Sequence, residues 1–247
     1  MKTELTLLVR SLVVQGSWNY RTLLGAGMAW VLLPVLRSAG EEGEEALRAR
    51  LARHAEHFNA HPYLTPVALG ALQRLEREGA DPERIRRFRR ALGGPLGSLG
   101  DALIWSIWRP ACVLFALVLV VLGAAPLMVT VAFLFLYNLV HLGLRVWGLR
   151  VGSEFGFEVA GALGRLKVPF LSERIGTVGV LLVGLLVGAL AVRAFELPGR
   201  GVPWILVGGT LFLVGFLKRD LFHRWMPALA LALVVGGFVA GAVRSAG

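Results

Sequence analysis

Two long apolar segments, residues 102–123 and 126–147, constrain the fold of this chain more than any other feature of its sequence. Each contains the roughly 20 apolar residues that a helix needs to cross the hydrocarbon core of a bilayer. The tight sequence Gly-Ala-Ala-Pro joins them. We therefore predict a transmembrane helical hairpin, and the mean hydropathy of +0.67 excludes an ordinary soluble domain.

Three further apolar segments raise the predicted number of transmembrane helices to about five: residues 175–192, 202–217 and 225–243. The predicted fold class is therefore an all-α integral membrane protein. Residues 1–100 are expected to form amphipathic, cytoplasmic or re-entrant helices, and residues 101–247 to form the transmembrane region.

The net charge of +10 comes almost wholly from arginine. In a membrane protein, basic residues gather in cytoplasmic loops and near anionic headgroups, so the charge predicts contact with the lipid bilayer and no nucleic acid partner. One orientation places all the basic segments in the cytoplasm: residues 37–100, 145–174 and 218–224. It leaves the N-terminus in the cytoplasm and the C-terminus outside. Arg10 interrupts the first apolar stretch, so we predict no signal peptide.

The segment 93–110 marks the change from the charged N-terminal part to the membrane spans. Its first eight residues contain four glycines and a proline, and glycine lets the backbone approach another backbone or a ligand closely. We predict a glycine-rich hairpin of the re-entrant type, with Gly94, Pro95 and Gly100 as its structural residues.

Two charged residues accompany the apolar run that follows. Asp101 opens it, and a carboxylate at this place is costly unless it has a function or a partner, although a helix-capping role would also explain it. Arg109 lies inside the run. Its predicted partner is Asp101 or an acidic residue of another subunit.

A polar and aromatic cluster, QGSWNY, lies between two apolar segments near the N-terminus and includes Gln15, Ser17, Trp18 and Asn19. An aromatic ring beside amide and hydroxyl groups can stack on a sugar and hydrogen-bond its hydroxyls. A tryptophan at the membrane interface followed by a Ser/Asn turn explains the same residues, and the spacing alone favours this second interpretation.

Two short N-terminal segments are predicted to be helices that do not cross the bilayer. Residues 3–14 place Leu5, Leu8 and Leu12 on one face, as in an amphipathic helix. Residues 23–36 are apolar but too short for a span, so they are expected to be re-entrant, interfacial or buried against other helices.

Three histidines, His54, His57 and His61, are spaced by three and four residues, so on a helix they would share one face and could bind a metal. Pro62 ends that helical geometry, and no further carboxylate or cysteine is positioned as a dependable ligand. We therefore predict no metal site. The next helix is expected to begin near Pro62 or Pro66.

Asn138 and His141 are polar residues within the second span. A hydrogen bond between helices is the favoured explanation for each, with a relay role together with Arg109 as the alternative. The single Cys112 lies in an apolar run, which excludes an intramolecular disulfide.

Five blocks of sequence resemble, in order and separation, the IID component of the mannose/fructose/sorbose family of bacterial phosphotransferase-system permeases: QGSWNY, HAEHFNAHPYLTP, GGPLGSLGD, the WRP turn and YNLVHLGLRVWG. The resemblance runs from about Ser11 to Val192 and continues more weakly to the C-terminus. It implies a bacterial inner-membrane protein that pairs with a IIC subunit, with trimers of the pair as the assembly.

The resemblance also implies a division of labour in sugar uptake. The IIA and IIB phosphocarrier proteins relay phosphate from phosphoenolpyruvate to an entering hexose, so this chain is expected to be a non-catalytic transporter subunit without a cofactor. Residues at matching positions are expected to bind or border the sugar: Gln15, Ser17, Trp18, Asn19, His54, Asn59 and Asp101. The alternative is a non-transporting scaffold or regulator that acts through protein contacts.

Overall fold

The computed structural model of this protein describes residues 2–38, 43–164 and 168–194, and these residues are mostly helical. They form the α-helices α1 Lys2–Ser11, α2 Gly25–Ser38, α3 Glu44–Ala55, α4 Thr65–Arg77, α5 Pro82–Gly100, α6 Arg109–Val121, α7 Pro126–Phe155, α8 Val159–Gly164 and α9 Val168–Ala194. A π-helix, Asp101–Trp108, connects α5 to α6. The described ranges contain no β-strand, so the predicted all-α class is confirmed.

The described residues belong to two compact units that divide after Gly179. The first unit contains α1 to α8 and the start of α9. The described part of the second unit is the remainder of α9. The predicted spans at residues 202–217 and 225–243 lie outside the described residues.

Helix α4 forms the centre of the core of the first unit. It begins at Thr65 with Pro66 in its first turn, where the missing N–H of proline costs no helical hydrogen bond, and this confirms the predicted start. Apolar side chains on all its sides are buried: Val67, Ala68, Leu69, Ala71, Leu72 and Leu75. Helix α2 packs beside it and is largely buried, so the short apolar segment 23–36 is buried against other helices, as predicted.

Helices α4 and α7 cross with their backbones in contact because glycines lie at the crossing. A Cβ atom on Gly70 would overlap the carbonyl of Leu149, and one on Gly152 would overlap the carbonyl of Val67. Gly148 lies against Val67 in the same way. Small residues allow this close approach between helices in membrane proteins.

The glycine-rich segment is part of a continuous helix, so residues 93–110 do not form the predicted re-entrant hairpin. Helix α5, the π-helix and α6 run without a break from Pro82 to Val121. They pass uninterrupted through residues 100 and 101, the predicted border between the two regions of the chain.

The glycines serve close packing instead of a turn, because three of them share one face of α5. The loop that follows α3 runs along this glycine face, and the contacts keep the same order in both segments: Gly93 with Asn59, Gly97 with Ala60 and Gly100 with His61. A side chain on the first or last of these glycines would occupy the space that the loop fills. Gly94 and Pro95 lie off this face and are exposed.

The π-helix Asp101–Trp108 ends two residues before Pro110. The backbone N–H of Arg109 donates to the carbonyl of Ile104, five residues earlier, where an α-helix would use the residue four earlier. Pro110 follows and offers no N–H, so it cannot restore the regular pattern at that position. Widened segments of this kind occur frequently at functional sites.

Helices α6 and α7 form the predicted helical hairpin. Residues 122–125 make the turn, in which Gly123 has a φ of +83°, a left-handed conformation that favours glycine. The helical stretches Pro82–Val121 and Pro126–Gly164 are long and apolar enough to cross a membrane. Helix α9 covers the third predicted span, residues 175–192.

Helix α1 confirms the predicted N-terminal helix but buries a different face. Leu5 and Leu12 of the predicted apolar face are 62% and 45% exposed, whereas Leu7 and Ser11 are fully buried. The reason is a polar contact: the buried Arg145 of α7 donates to the carbonyl and the hydroxyl of Ser11 and draws that face inward.

Candidate functional site

A cluster of aromatic and imidazole side chains lies where the loop after α3 meets the π-helix and α7. We call it the His61 cluster, and its members are His61, Tyr63, Trp105, Tyr137 and His141. The glycine face of α5 brings the loop to this position. Three segments that are distant in the sequence therefore meet at one place.

The His61 ring carries a buried N–H group without a partner. His61 is 2% exposed, and its Nδ1 accepts a hydrogen bond from the backbone N–H of Tyr63 at 3.2 Å. The neutral ring must therefore carry its proton on Nε2. Within the described part of the chain, this buried Nε2 has no hydrogen-bond partner. Buried polar groups are nearly always satisfied, so the N–H is a candidate for ligand binding.

The electrostatic surroundings keep His61 neutral. Burial lowers its pKa to about 4, the Asp101 carboxylate opposes this shift, and the positive charge of Arg145 adds to it. The rings of Tyr63 and Trp105 lie 5.0 and 5.1 Å from the imidazole. At physiological pH, His61 is therefore an uncharged hydrogen-bond donor among aromatic rings.

Hydrogen bonds and stacking hold the rest of the cluster in place. The hydroxyls of Tyr63 and Tyr137 are 2.7 Å apart, and the Tyr63 ring stacks on His141 at 3.8 Å between centroids. Arg145 donates from Nε to Nε2 of His141 at 2.7 Å and from its guanidinium to the Ser11 carbonyl at 2.5 Å. These contacts join α1, α7 and the turn that contains Tyr63.

Asp101 and Arg109 flank the cluster but do not pair with each other in the described part of the chain. The Arg109 guanidinium lies over the Trp105 ring at 4.8 Å. The predicted pairing of Arg109 with Asp101 is therefore wrong for this chain alone, because the cation is held by the ring between them. The exposed Asp101 carboxylate instead raises the pKa of His61 and so partly offsets the effect of burial.

This arrangement suits a polyhydroxylated ligand. The partly exposed Trp105 offers an aromatic ring, His61 a buried N–H donor and Asp101 a carboxylate acceptor. Several residues predicted from the sequence lie in or beside the cluster: Gly100, Asp101, Arg109 and His141. Asn138 lies nearby on α7 and donates to the Leu134 carbonyl of its own helix at 2.8 Å.

The segment from Gln15 to Asn19 forms a separate turn. Just after this turn, the carbonyl of Thr22 accepts a hydrogen bond from the backbone N–H of Phe58. The predicted ligand contacts in the turn are exposed: Gln15, Ser17 and Trp18. The Asn19 amide is used within the turn, since its Oδ1 accepts the backbone N–H groups of Arg21 and Thr22 and its Nδ2 donates to the Thr22 hydroxyl at 2.7 Å. This geometry gives Asn19 a turn-forming role.

His54 lies in a buried ionic network. Its ring is fully buried, and its Nε2 lies 2.7 Å from a carboxylate oxygen of Glu76 in α4. Arg53 donates to the same oxygen at 2.7 Å, and Arg50 lies 3.9 Å from the other oxygen. Burial lowers the pKa of His54. Burial alone would raise the pKa of Glu76, but the hydrogen bonds from His54 and Arg53 outweigh it and lower that pKa. Glu76 is therefore the anion that joins α3 to α4.

The three histidines do not share a helix face, because α3 ends at Ala55. His57 is exposed and His61 is buried in the following loop, whose neighbouring Asn59 is also exposed. No group of three His, Cys, Asp or Glu side chains in the described ranges is placed to hold a metal ion.

Sequence reasoning missed Tyr63, Trp105, Tyr137 and Arg145 as members of the site or its support. One signal was present: residues 101, 105 and 109, and likewise residues 137, 141 and 145, are spaced by four. Residues four apart lie on one face of a helix, so each set of three could have been read as one surface.

Known proteins share the sequence pattern and the fold of this chain. The model of the mannose/fructose/sorbose family IID component of the phosphotransferase system matches residues 1–197. This chain belongs to that family. The matched range contains the whole His61 cluster and both helices of the hairpin.

Individual relatives of the IID chain are similar over most of its length. It is 30% identical over 184 residues to the mannose-specific EIID component of Escherichia coli K12, which covers 72% of this chain and 64% of that protein. It is 30% identical over 193 residues to the fructose permease IID component of Bacillus subtilis 168, with coverage of 75% and 68%. The match thus spans less than two thirds of the E. coli protein.

Two solved structures share the fold of the IID chain. One is a chain in the cryo-EM structure of the mannose transporter ManYZ with microcin E492, with a TM-score of 0.60, 22% identity and coverage of 98% and 97%. The other, described as a membrane protein, has a TM-score of 0.68, 24% identity and the same coverage. At these identities the similarity concerns the fold alone.

Proposed function

We propose that this IID chain is a membrane subunit of a phosphoenolpyruvate-dependent sugar phosphotransferase system in the bacterial inner membrane. It pairs with a IIC subunit, in trimers of the pair, and the complex translocates a hexose. IIA and IIB carry the phosphate, so this chain takes no part in phosphoryl transfer. The family match over residues 1–197 and the names of the mannose and fructose relatives support this proposal.

The His61 cluster is the proposed contact with the sugar path or with the IIC subunit. The observation that carries this assignment is the buried, unpartnered Nε2–H of His61 beside the Trp105 ring. Asp101 supplies an acceptor at the point where the apolar helix begins. A hexose offers both donors and acceptors, so it could satisfy the N–H and the carboxylate together.

The surface turn is a second proposed contact, and its members differ in role. Gln15, Ser17 and Trp18 are exposed and available to a sugar or to a neighbouring subunit. Asn19 and His54 support their own local structures through the hydrogen bonds described above. The proposed orientation places the N-terminus and the arginine-rich start of α5 in the cytoplasm.

Transport in a host without its own mannose-family permease tests the proposal. Cells or inverted vesicles receive IIA, IIB and IIC with or without this chain, and phosphoenolpyruvate-dependent formation of hexose phosphate is measured. We expect formation only when this chain and IIC are both present. Equal formation without this chain would contradict transport and favour the scaffold, which would then be expected to bind IIC without any effect of sugar.

A further inference from the structure

An open groove with a volume of about 730 Å³ lies apart from the His61 cluster, between the turn after Trp18, the end of α3 and helix α5. Its polar lining consists of Arg21, Thr22, Glu56, His57 and Arg90. The volume falls within the range of roughly 300–1,000 Å³ that is typical of small-molecule sites. The proposed function leaves this groove without a role.

Two arginines, Arg21 and Arg90, line the groove together with one carboxylate, Glu56. Glu56 pairs at 2.8 Å with Arg86, which does not line the groove, and at 3.3 Å with Arg90. Burial alone would raise the pKa of Glu56, but the hydrogen bonds from these arginines outweigh it and lower that pKa, so the carboxylate is ionised. Arg86 also pairs with Glu83, so Arg86 and Arg90 together balance the two carboxylates, and Arg21 adds a further positive charge to the groove. The Arg90 side chain is 64% exposed, and the Arg21 side chain has no hydrogen bond or ion pair with any other described residue.

The position of Arg90 favours a soluble anion over a lipid headgroup. The apolar part of the continuous helix begins after Asp101, and the helix rises about 1.5 Å per residue, so Arg90 lies about 16 Å before that boundary. The headgroup layer is about 5–8 Å thick on each side of the hydrocarbon core. Along the helix axis, this distance exceeds the thickness of the headgroup layer.

We propose that this groove binds the phosphate group of a hexose phosphate, the product that the transporter releases into the cytoplasm. Arg21 and Arg90 hold the phosphate through charge-assisted hydrogen bonds, which are the strongest that side chains form. The Thr22 hydroxyl accepts a bond from Asn19 and keeps its own hydrogen for a sugar oxygen. The identity of the sugar rests on the proposed function, whereas the choice of a phosphate rests on the groove itself.

Direct binding to the purified full chain in neutral detergent tests this inference. Mannose 6-phosphate, free mannose and inorganic phosphate are titrated separately by calorimetry. We expect mannose 6-phosphate to bind at least ten-fold more tightly than mannose, and inorganic phosphate to compete with it. Arg21→Gln and Arg90→Gln should each weaken binding by about ten-fold, as expected for a lost hydrogen bond to a charged group.

Two further variants serve as controls. Arg87→Gln makes the same charge change at an exposed position of α5 outside the groove, so it should leave the affinity unchanged. Glu56→Gln removes a negative charge from the groove and should strengthen binding. Circular dichroism of each variant checks that the helical content is retained. Equal loss in Arg87→Gln, or equal affinity for mannose and its phosphate, would overturn the inference.

Other occupants are outcomes of the same assay. If phosphatidylglycerol vesicles or phosphorylated IIB displace mannose 6-phosphate from the groove, the inferred hexose phosphate site would also be overturned. The transport assay separates this inference from the proposed function. Binding without transport would contradict the transport function and leave the phosphate site intact, whereas transport without binding would contradict the phosphate site alone.

Discussion

The His61 side chain lies directly against Gly100, so that a methyl group on this glycine would overlap the Cβ and Cγ atoms of the histidine. Gly94 is in the same helix, yet the space around its missing side chain is open. The two glycines therefore have different reasons to be glycine. Gly100 is required by the loop that packs on it, whereas Gly94 has no steric requirement.

Gly100→Ala is expected to destabilise the protein by about 1–3 kcal/mol, the usual cost of overpacking a tight contact. It should also displace His61 and thereby lower sugar transport. Gly94→Ala is the matched control and should be neutral or stabilising by up to about 1 kcal/mol, because alanine favours a helix over glycine. Thermal unfolding of the purified variants measures both effects. Equal stability of the two variants would contradict the described packing of the loop on α5.

Glu76→Gln should destabilise the protein strongly. The substitution leaves the buried cation Arg53 without its anion, and breaking a buried ion pair on one side costs about 3–5 kcal/mol. Glu78→Gln removes a carboxylate from the same region of the chain, but its partner Arg74 is 41% exposed, so the loss should stay below about 1 kcal/mol. Denaturant unfolding in detergent compares the two, and similar losses would show that Glu76 is not the anchor between α3 and α4.

Acidification below about pH 6.5 should destabilise the protein through its two buried histidines, His54 and His61. The pKa values of His54 and His61 are lowered from 6.5, so below that pH the unfolded chain binds protons that the folded chain does not. Stability is therefore complete above about pH 6.5 and falls with decreasing pH, for His61 down to about pH 4. Glu76, with a pKa lowered from 4.5, adds a further loss below that value.

The midpoint of thermal unfolding between pH 7.5 and 5 measures this dependence. His61→Gln should reduce the dependence of the unfolding midpoint on pH, because it removes a histidine whose pKa is lowered in the folded state. His57→Gln changes an exposed histidine and should keep the slope of the unaltered protein. If both variants retain the full slope, the buried His61 is not a source of the pH dependence.

The local pattern of the sequence predicted the elements that depend on neighbours in the chain. The hairpin of α6 and α7 follows from two apolar runs and a short turn, and the start of α4 follows from its prolines. The glycine-rich segment was interpreted wrongly because glycine permits both turns and close packing. The spacing of Gly93, Gly97 and Gly100 favours a helix with one smooth face, but the backbone that covers it lies some forty residues earlier, at Asn59 to His61.

Contacts between distant segments also limited how much of the candidate site could be predicted from the sequence. Asp101 and His141 could be named because charged and polar residues in an apolar run are rare. Trp105 carried only the weak signal of its spacing from Asp101 and Arg109, and Tyr63 carried none, because the role of both rings depends on meeting His61. The different fates of His54, buried against Glu76, and His57, exposed nearby, likewise depend on the position of α4.

Substitution of each of the two tryptophans proposed near the sugar tests one of the two proposed contacts. Trp105 packs against His61 and carries Arg109 on its ring, so Trp105→Leu should lower hexose binding and transport by about ten-fold, as expected when a stacking ring in a ligand site is lost. Trp18→Ala alters an exposed ring on the surface turn that contacts Tyr20. If Trp18→Ala leaves uptake unchanged, the proposed sugar contact at that turn is wrong, and the His61 cluster is then tested alone.

Asp101→Asn is the sharpest test of the site, because it keeps the shape of the side chain and removes its charge. A hydrogen bond between a carboxylate and a sugar hydroxyl is worth about 1.5–3 kcal/mol, so its loss should lower transport by about ten-fold or more. Glu83→Gln, at an exposed position of the same continuous helix, should leave transport unchanged. Copurification with IIC shows whether each variant still assembles. If Asp101→Asn transports and assembles normally, the carboxylate takes no part in sugar recognition, and the proposed acceptor role of Asp101 is wrong.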